Sequence, residues 1–208
     1  MKDKAVQALV KRIFDIVFSL LALAALSIPI VVVSFALVVV QGRPIFFRQR
    51  RPGLNESPFE MVKFRTMIPQ DDRRFPGSTP DSDANRLTGV GRWLRATSLD
   101  ELPTLWNVLK GEMSVVGPRP LLMQYLPLYD DEQRRRHLMR PGITGLAQVS
   151  GRNGLSWEQR FQYDLLYVDN WSLALDWKIL CLTAYKVAIR DGINTPGSVT
   201  SPPFRGSK

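Results

Sequence analysis

From Ile16 to Val40 the chain runs 25 residues without a charged side chain, its hydrophobicity interrupted only by Ser19, Ser27, Pro29 and Ser34. As one straight helix that run measures about 37 Å, against about 30 Å for the hydrocarbon core of a bilayer. A buried core helix of this length ordinarily keeps a polar face, and a signal-peptide core is shorter, so the segment is expected to meet membrane. Whether it crosses is a separate question. The fifteen residues before it carry four basic groups (Lys2, Lys4, Lys11, Arg12), and residues 41–55 carry four more (Arg43, Arg48, Arg50, Arg51). A spanning helix shows an excess of Lys and Arg on the cytoplasmic side, and equal flanks leave cations on the wrong face. Pro29 removes a backbone bond and clashes with the preceding turn, and Ser27 can bond a carbonyl and help the bend. The expectation is therefore a re-entrant pair of half-helices of roughly 13 residues, about 20 Å each, broken at Ser27 and Pro29. Both ends then face the cytoplasm. Residues 1–42 form this membrane-inserted unit, 43–191 a cytoplasmic domain, and 192–208, rich in Gly, Pro and Ser, a flexible tail.

The rest of the chain reads as helix-rich α/β with little sheet. Ile45-Phe46-Phe47, a turn at Arg51-Pro52-Gly53 and the alternation over Phe59–Phe64 suggest extended segments and a short strand. Residues 68–89 turn polar and read as a mobile surface loop, and a short helix is expected from Gly91. Ser98 to Lys110 reads as one helix: Ser98 and Glu101 make a capping box, Leu102, Leu105, Trp106 and Leu109 keep the helical rhythm, and Gly111 stops it. Pro103 is expected to kink it. Trp157, Phe161, Leu165 and Val168 stripe another helix, and Leu173–Arg190 a last one. There Trp171, Trp177 and Tyr185 among Lys178, Lys186 and Arg190 fit an interfacial belt and an ordinary core helix equally.

A single cysteine, Cys181, excludes a disulfide scaffold and a CxxC metal site, and it reads as a small hydrophobe. The net charge of +9 points to an anionic partner. Of the 28 basic residues 20 are Arg, which favours forked recognition of phosphate. Four of them precede proline (Arg43, Arg51, Arg119, Arg140) where about 1.4 such pairs are expected by chance. A residue before proline is held extended, so its guanidinium is aimed at low entropic cost. Gly117-Pro118-Arg119-Pro120 and Arg140-Pro141-Gly142-Ile143-Thr144-Gly145 thus read as stiff loops presenting cations, which Lys63, Arg65, Arg95 and Arg152 can join. Arg73, Arg74 and the run Arg134–Arg136 read as solvated surface charge. His137 reads as structural, and Asp164 and Asp176, set in apolar helical stretches, as partners of arginines.

Asp100-Glu101 is the candidate for chemistry. In a helix's first turn such acids ordinarily complement the dipole and the cap. The alternative is that Asp100 attacks phosphorus, as aspartate does in other phosphoryl transfers, while its neighbour helps to hold Mg²⁺.

Together these segments resemble one family. Lys11-Arg12-Ile13-Phe14-Asp15, Lys63-Phe64-Arg65-Thr66-Met67, Ser98-Leu99-Asp100-Glu101-Leu102-Pro103, Asn107-Val108-Leu109-Lys110-Gly111, Val116-Gly117-Pro118-Arg119-Pro120 and Arg140–Gly145 follow, in order, the pattern of the small monotopic bacterial phosphoglycosyl transferases. The resemblance covers residues 8 to 190. It implies that a UDP-sugar gives its phosphosugar to polyprenyl phosphate at the cytoplasmic face of the bacterial inner membrane, with release of UMP. In that family the Asp-Glu dyad falls on Asp100, the nucleophile of a phosphosugar-aspartyl intermediate, and on Glu101, which helps to bind Mg²⁺ or positions the attacking group. Arg119 binds phosphate, with Lys63, Arg65, Arg95, Arg140 and Arg152 as further contributors. The family's adjacent Ser-Pro helix break is here one residue wider, Ser27-Ile28-Pro29. Downstream glycosyl transferases are expected as partners, and no nucleic acid. A membrane glycosyl transferase releasing UDP and, more remotely, a tethered nucleic-acid binder or a structural membrane scaffold are the competing readings.

Overall fold

The computed structural model describes residues 2–69, 86–151, 154–189 and 203–206. Two helices open the chain, α1 (Lys2–Ala25) and α2 (Ser27–Gln41), bent by 62° at Leu26. The halves are unequal, 24 and 15 residues, because α1 extends back through the basic flank. The corner precedes Pro29 for a steric reason. A proline ring clashes with the carbonyl four residues earlier, here that of Ala25, where α1 ends. Pro29 itself lies in the first turn of α2, where a missing N–H costs nothing. Ser27 Oγ donates to the Ala24 carbonyl at 2.8 Å across the corner. Among the described residues no single helix is long and apolar enough to cross a membrane, whereas the bent pair together is.

The burial pattern of α1 inverts that of a helix in water. Lys11, Asp15 and Ser19, four residues apart, are buried, while Leu9, Ile13, Val17, Leu20 and Leu21 are exposed. The polar stripe docks on the rest of the protein. Lys11 Nζ pairs with Asp176 at 2.6 Å and donates to the Val116 carbonyl at 3.0 Å. Asp15 accepts from the Val115 N–H at 2.9 Å and from Ser114 Oγ at 3.1 Å. Arg12 donates to the Val108 and Leu109 carbonyls at 2.6 and 2.8 Å.

After α2, β1 (Phe46–Pro52) and β2 (Pro58–Phe64) form an antiparallel hairpin with Phe46 opposite Phe64 and Pro52 opposite Pro58. The polar segment expected over 68–89 is closed at its base by the Ile68 N–H to the Arg86 carbonyl at 3.0 Å, and its residues 70–85 lie outside the described residues. Helix α3 (Gly89–Thr97) follows, slightly longer than expected, and then a 3-10 turn, Leu99–Glu101, and α4 (Thr104–Lys110).

The single helix expected over Ser98–Lys110 does not form. Ser98 takes a left-handed φ of 58° and ends α3, with no side-chain cap bond to Glu101. The reason repeats the first corner: the Pro103 ring opposes the carbonyl four residues back, at Leu99, so no regular helix runs through Asp100.

Strand β3 (Ser114–Val116) pairs in parallel with β4 (Gly142–Thr144), a strand inside a segment expected as loop. Helices α5 (Asp131–Arg134), α6 (Leu146–Ser150), α7 (Trp157–Asn170) and α8 (Leu173–Ala188) complete the fold. The largest core cluster joins Met61, Val108, Met113, Val116, Tyr167 and Ile179 under both sheets, and a smaller one packs α2 through Val33 and Leu37 against Phe64 and Leu94. In the segment expected as a tail, Phe204 is buried among Tyr125, Tyr129 and Phe161, while 192–202 and 207–208 lie outside the described residues. On α8 Trp177 and Tyr185 are 64% and 61% exposed, so core packing does not account for them; Cys181 is exposed as well.

Asp176 pairs with Lys11, not with an arginine, and also accepts from Tyr167 and Trp171. Because removing one member of a buried pair strands the other charge, Lys11→Met is expected to cost about 3–5 kcal/mol. Thermal unfolding of the detergent-solubilised protein checks this; a melting point equal to wild type contradicts it.

Candidate active site

The 3-10 turn carries Asp100 and Glu101 ahead of α4 instead of in its first turn, so their usual role as dipole-complementing acids does not apply. The turn is set against β2 by two polar side chains of α4. Thr104 Oγ1 donates to the Val62 carbonyl at 3.1 Å. Asn107, fully buried, accepts from the Val62 N–H at 3.1 Å and donates to the Glu60 carbonyl at 2.7 Å. These bonds put Lys63, the next residue on β2, against the turn: its Nζ lies 2.5 Å from Glu101 Oε1. From the opposite side Arg119 donates to the same oxygen at 3.1 Å.

Arg119 is presented by a loop that only glycine backbones can form. The Gly117 N–H donates to the Thr144 carbonyl at 2.8 Å and the Gly142 N–H to the Pro118 carbonyl at 2.9 Å. A Cβ on Gly142 would sit 2.1 Å from the Gly117 nitrogen, and one on Gly117 would sit 2.3 Å from the Arg140 carbonyl oxygen. Beneath the loop Arg136, 2% exposed, pairs with Asp164 at 2.6 Å and donates to the Arg119 carbonyl at 2.7 Å.

The two carboxylates are shifted in opposite directions. Burial raises Glu101, but Lys63 and Arg119 outweigh it and hold its pKa down at about 2. Burial, then the charge of Glu101, push Asp100 up to about 6 against the pull of Lys63, Arg95 and Arg119. Among the described residues Asp100 makes no ion pair. Its neighbour is committed and it is not. A small cleft of about 80 Å³ opens beside them, lined by Glu101, Lys63, Arg119, Arg51, Thr104 and Pro120 among others. Ligand pockets commonly reach about 300–1,000 Å³, so this one takes a fragment such as a phosphate group. Asp100 lies next to it without lining it.

The structure thus brings Lys63, Arg119 and Glu101 into contact and keeps Arg95 within electrostatic reach of Asp100, its Nε on Thr66 at 3.0 Å. Two sequence-predicted residues go elsewhere. Arg65 is buried and donates to the Gln41 and Gly42 carbonyls at 2.8 and 2.7 Å, closing the C-terminus of α2. Arg140 is exposed and donates from Nε to the Gly111 carbonyl at 2.8 Å, while the backbone of its motif supports the Arg119 loop. Arg152 lies outside the described residues. The run read as solvated charge is divided: Arg134 bonds Glu56, Arg135 meets Asp169 at the surface, and Arg136 is buried. Asn107, Arg136 and Arg51 are the site's neighbours that sequence reasoning missed. The only signal was the placement of Asn107 inside a quoted motif and of Arg51 before a proline.

No group of three or more His, Cys, Asp or Glu side chains able to cage a metal occurs among the described residues. Mg²⁺ is commonly held by one or two carboxylates together with substrate phosphates and water. An uncommitted Asp100 beside Glu101 fits that smaller requirement.

A family profile described as bacterial sugar transferase matches residues 6–190. The chain is 50% identical over 202 residues to an uncharacterized sugar transferase, EpsL, of Bacillus subtilis, covering 96% of this chain and 97% of that one. It is 42% identical to the exopolysaccharide production protein ExoY of Sinorhizobium fredii, over 88% of this chain and 87% of that protein. It is also 42% identical to the UDP-glucose:undecaprenyl-phosphate glucose-1-phosphate transferase of Klebsiella pneumoniae, over 85% of this chain but 39% of that longer protein. The chain belongs to the bacterial sugar transferase family, and is an enzyme of the phosphoglycosyl transferase class.

His137 is structural, as its surroundings dictate. It is 5% exposed against Tyr129, and burial, then Arg136, draw its pKa down to about 4. Its folded pKa lies below the unfolded value of 6.5, so the unfolded chain takes up a proton first. This contribution to stability is whole above pH 6.5 and is lost as pH falls towards 4, by about 3 kcal/mol at most. His137→Gln is expected to flatten that limb of a melting-temperature profile between pH 7 and 4; an unchanged slope contradicts it.

Proposed function

We propose that the protein transfers a sugar-1-phosphate from a UDP-sugar to polyprenyl phosphate, releasing UMP and forming a polyprenyl-diphosphosugar, the first membrane step of bacterial glycan assembly. The observation that carries the reading is the division between the paired carboxylates. Glu101 is locked by Lys63 and Arg119, while Asp100 stands beside a cationic cleft without a bonded partner among the described residues. A nucleophile must be free to attack, and the groups around it must neutralise a diphosphate. The names of the relatives support the substrates, since the Klebsiella protein is a glucose-1-phosphate transferase acting on undecaprenyl phosphate.

In the first step an Asp100 carboxylate oxygen attacks the sugar-bearing phosphorus. The bond to the bridging oxygen breaks, and UMP leaves with its electron pair. In the second step a phosphate oxygen of the lipid attacks the same phosphorus and releases the aspartate. Lys63 and Arg119, fixed through Glu101, meet the negative charge of the phosphoryl groups in both steps. Asp100 and Glu101 are the residues that would hold Mg²⁺, which when bound supplies further neutralisation of phosphate charge.

The lipid substrate requires a station at the bilayer. The inverted burial of α1, the 62° corner and the exposed Trp177 and Tyr185 support a hairpin that enters the cytoplasmic leaflet of the inner membrane and returns. A polar face towards the protein and an apolar one outward is the arrangement lipid favours.

Incubation with UDP-sugar labelled in the sugar-bearing phosphate, without acceptor, is expected to leave label on the protein. Asp100→Asn is expected to abolish both label and turnover, at least about 10³-fold. Label that persists in the Asn variant, or UDP in place of UMP as product, refutes the scheme.

A further inference from the structure

The scheme above leaves one cation of the cleft unused. Arg51, on β1, lines it together with Arg119. Its Nη2 donates to Gln49 Oε1 at 2.6 Å and its Nη1 reaches the Pro120 carbonyl at a long 3.4 Å. Its Nε is buried without a partner, and no carboxylate lies within ion-pair distance among the described residues. A guanidinium is permanently charged, and burying one beside a second without a counter-charge is costly unless an anion arrives. Burial, then the charge of Arg119, draw the Arg51 pKa down to about 10, which marks the two as neighbours across the same space.

The groups also fall in an order. Arg119 bonds Glu101, the chain neighbour of Asp100, and Arg51 reaches the carbonyl of Pro120, the chain neighbour of Arg119. Arg119 therefore links the Asp100 side of the site to Arg51 along the wall of the cleft. If the phosphorus under attack lies at Asp100, the second phosphate of the diphosphate extends past Arg119 into the cleft.

We propose that Arg51 binds the nucleotide-side phosphate of the donor, the group that departs in UMP. The inference rests on the two-step scheme and adds to it a residue that receives the leaving group. As the bond between the sugar-bearing phosphorus and the bridging oxygen breaks, the electron pair stays on the nucleotide phosphate, which gains a negative charge. A forked donor waiting there stabilises that charge as it forms.

The test is equilibrium binding of UMP to wild type, Arg51→Met and Arg51→Lys, with uridine as a phosphate-free competitor and melting temperature as the check on folding. Arg51→Met is expected to weaken UMP about tenfold or more and to leave uridine unchanged, with Lys restoring part of the loss. UMP affinity equal to wild type in folded Arg51→Met overturns the proposal, as does an equal loss for UMP and uridine. The underlying scheme fails separately, by UDP appearing as the wild-type product.

Discussion

The Lys11 ammonium holds the two halves of this molecule together. It sits on a helix that exposes Leu9, Ile13 and Val17, yet it is buried against Asp176 of α8 and the Val116 carbonyl of β3. The buried face of this helix is polar, at Lys11, Asp15 and Ser19, so directional polar bonds fix it. Asp15 and Arg12 continue the same contact, one on β3 and one on the carbonyl end of α4. Both elements lead to the site: β3 runs into Gly117 and Arg119, and α4 carries the Thr104 and Asn107 that hold β2 in place. Helix α1 is therefore also the floor on which the side chains of the candidate site are set.

Two corners of the chain obey one rule. At Ala25 regular helix stops four residues before Pro29, and around Leu99, four residues before Pro103, no regular helix forms; a hydroxyl-bearing residue lies at or near each bend. The first corner bends the apolar segment by 62°; the second takes Asp100 out of a helix and leaves it in a short turn. In the sequence both segments read as helix with an interruption, and the interruption was legible in each. What local reasoning underestimated was its reach, since the proline excludes the carbonyl behind it and not only its own bond. Hence Ser98–Lys110 was expected as a kinked helix with a capping box, where the structure has a left-handed Ser98 and a separate turn.

The hairpin, the last two helices and the gathering of Lys63, Glu101 and Arg119 follow from patterns a few residues long, or from motifs that the family resemblance carries. The destinations of the other arginines do not. Arg65 and Arg140 both end on main-chain carbonyls, and Arg136 disappears beneath the loop it supports. A guanidinium serves a carbonyl as readily as a phosphate, and which it meets depends on contacts 17 to 29 residues distant along the chain. Composition shows an excess of forks without showing which of them face inward. Likewise Gly117 and Gly142 were legible as turn residues, but their use in stitching two loops together through main-chain bonds appears only in three dimensions.

The way α1 joins the rest has a practical consequence. An anchor attached through a linker can be cut away to give a soluble enzyme. Here excision of the first helix would uncover Asp176, the β3 edge at Val115 and the bare carbonyls of Val108 and Leu109 in a single stroke. Purification with the first helix intact, and not trimming, is the route to a working preparation of such a protein.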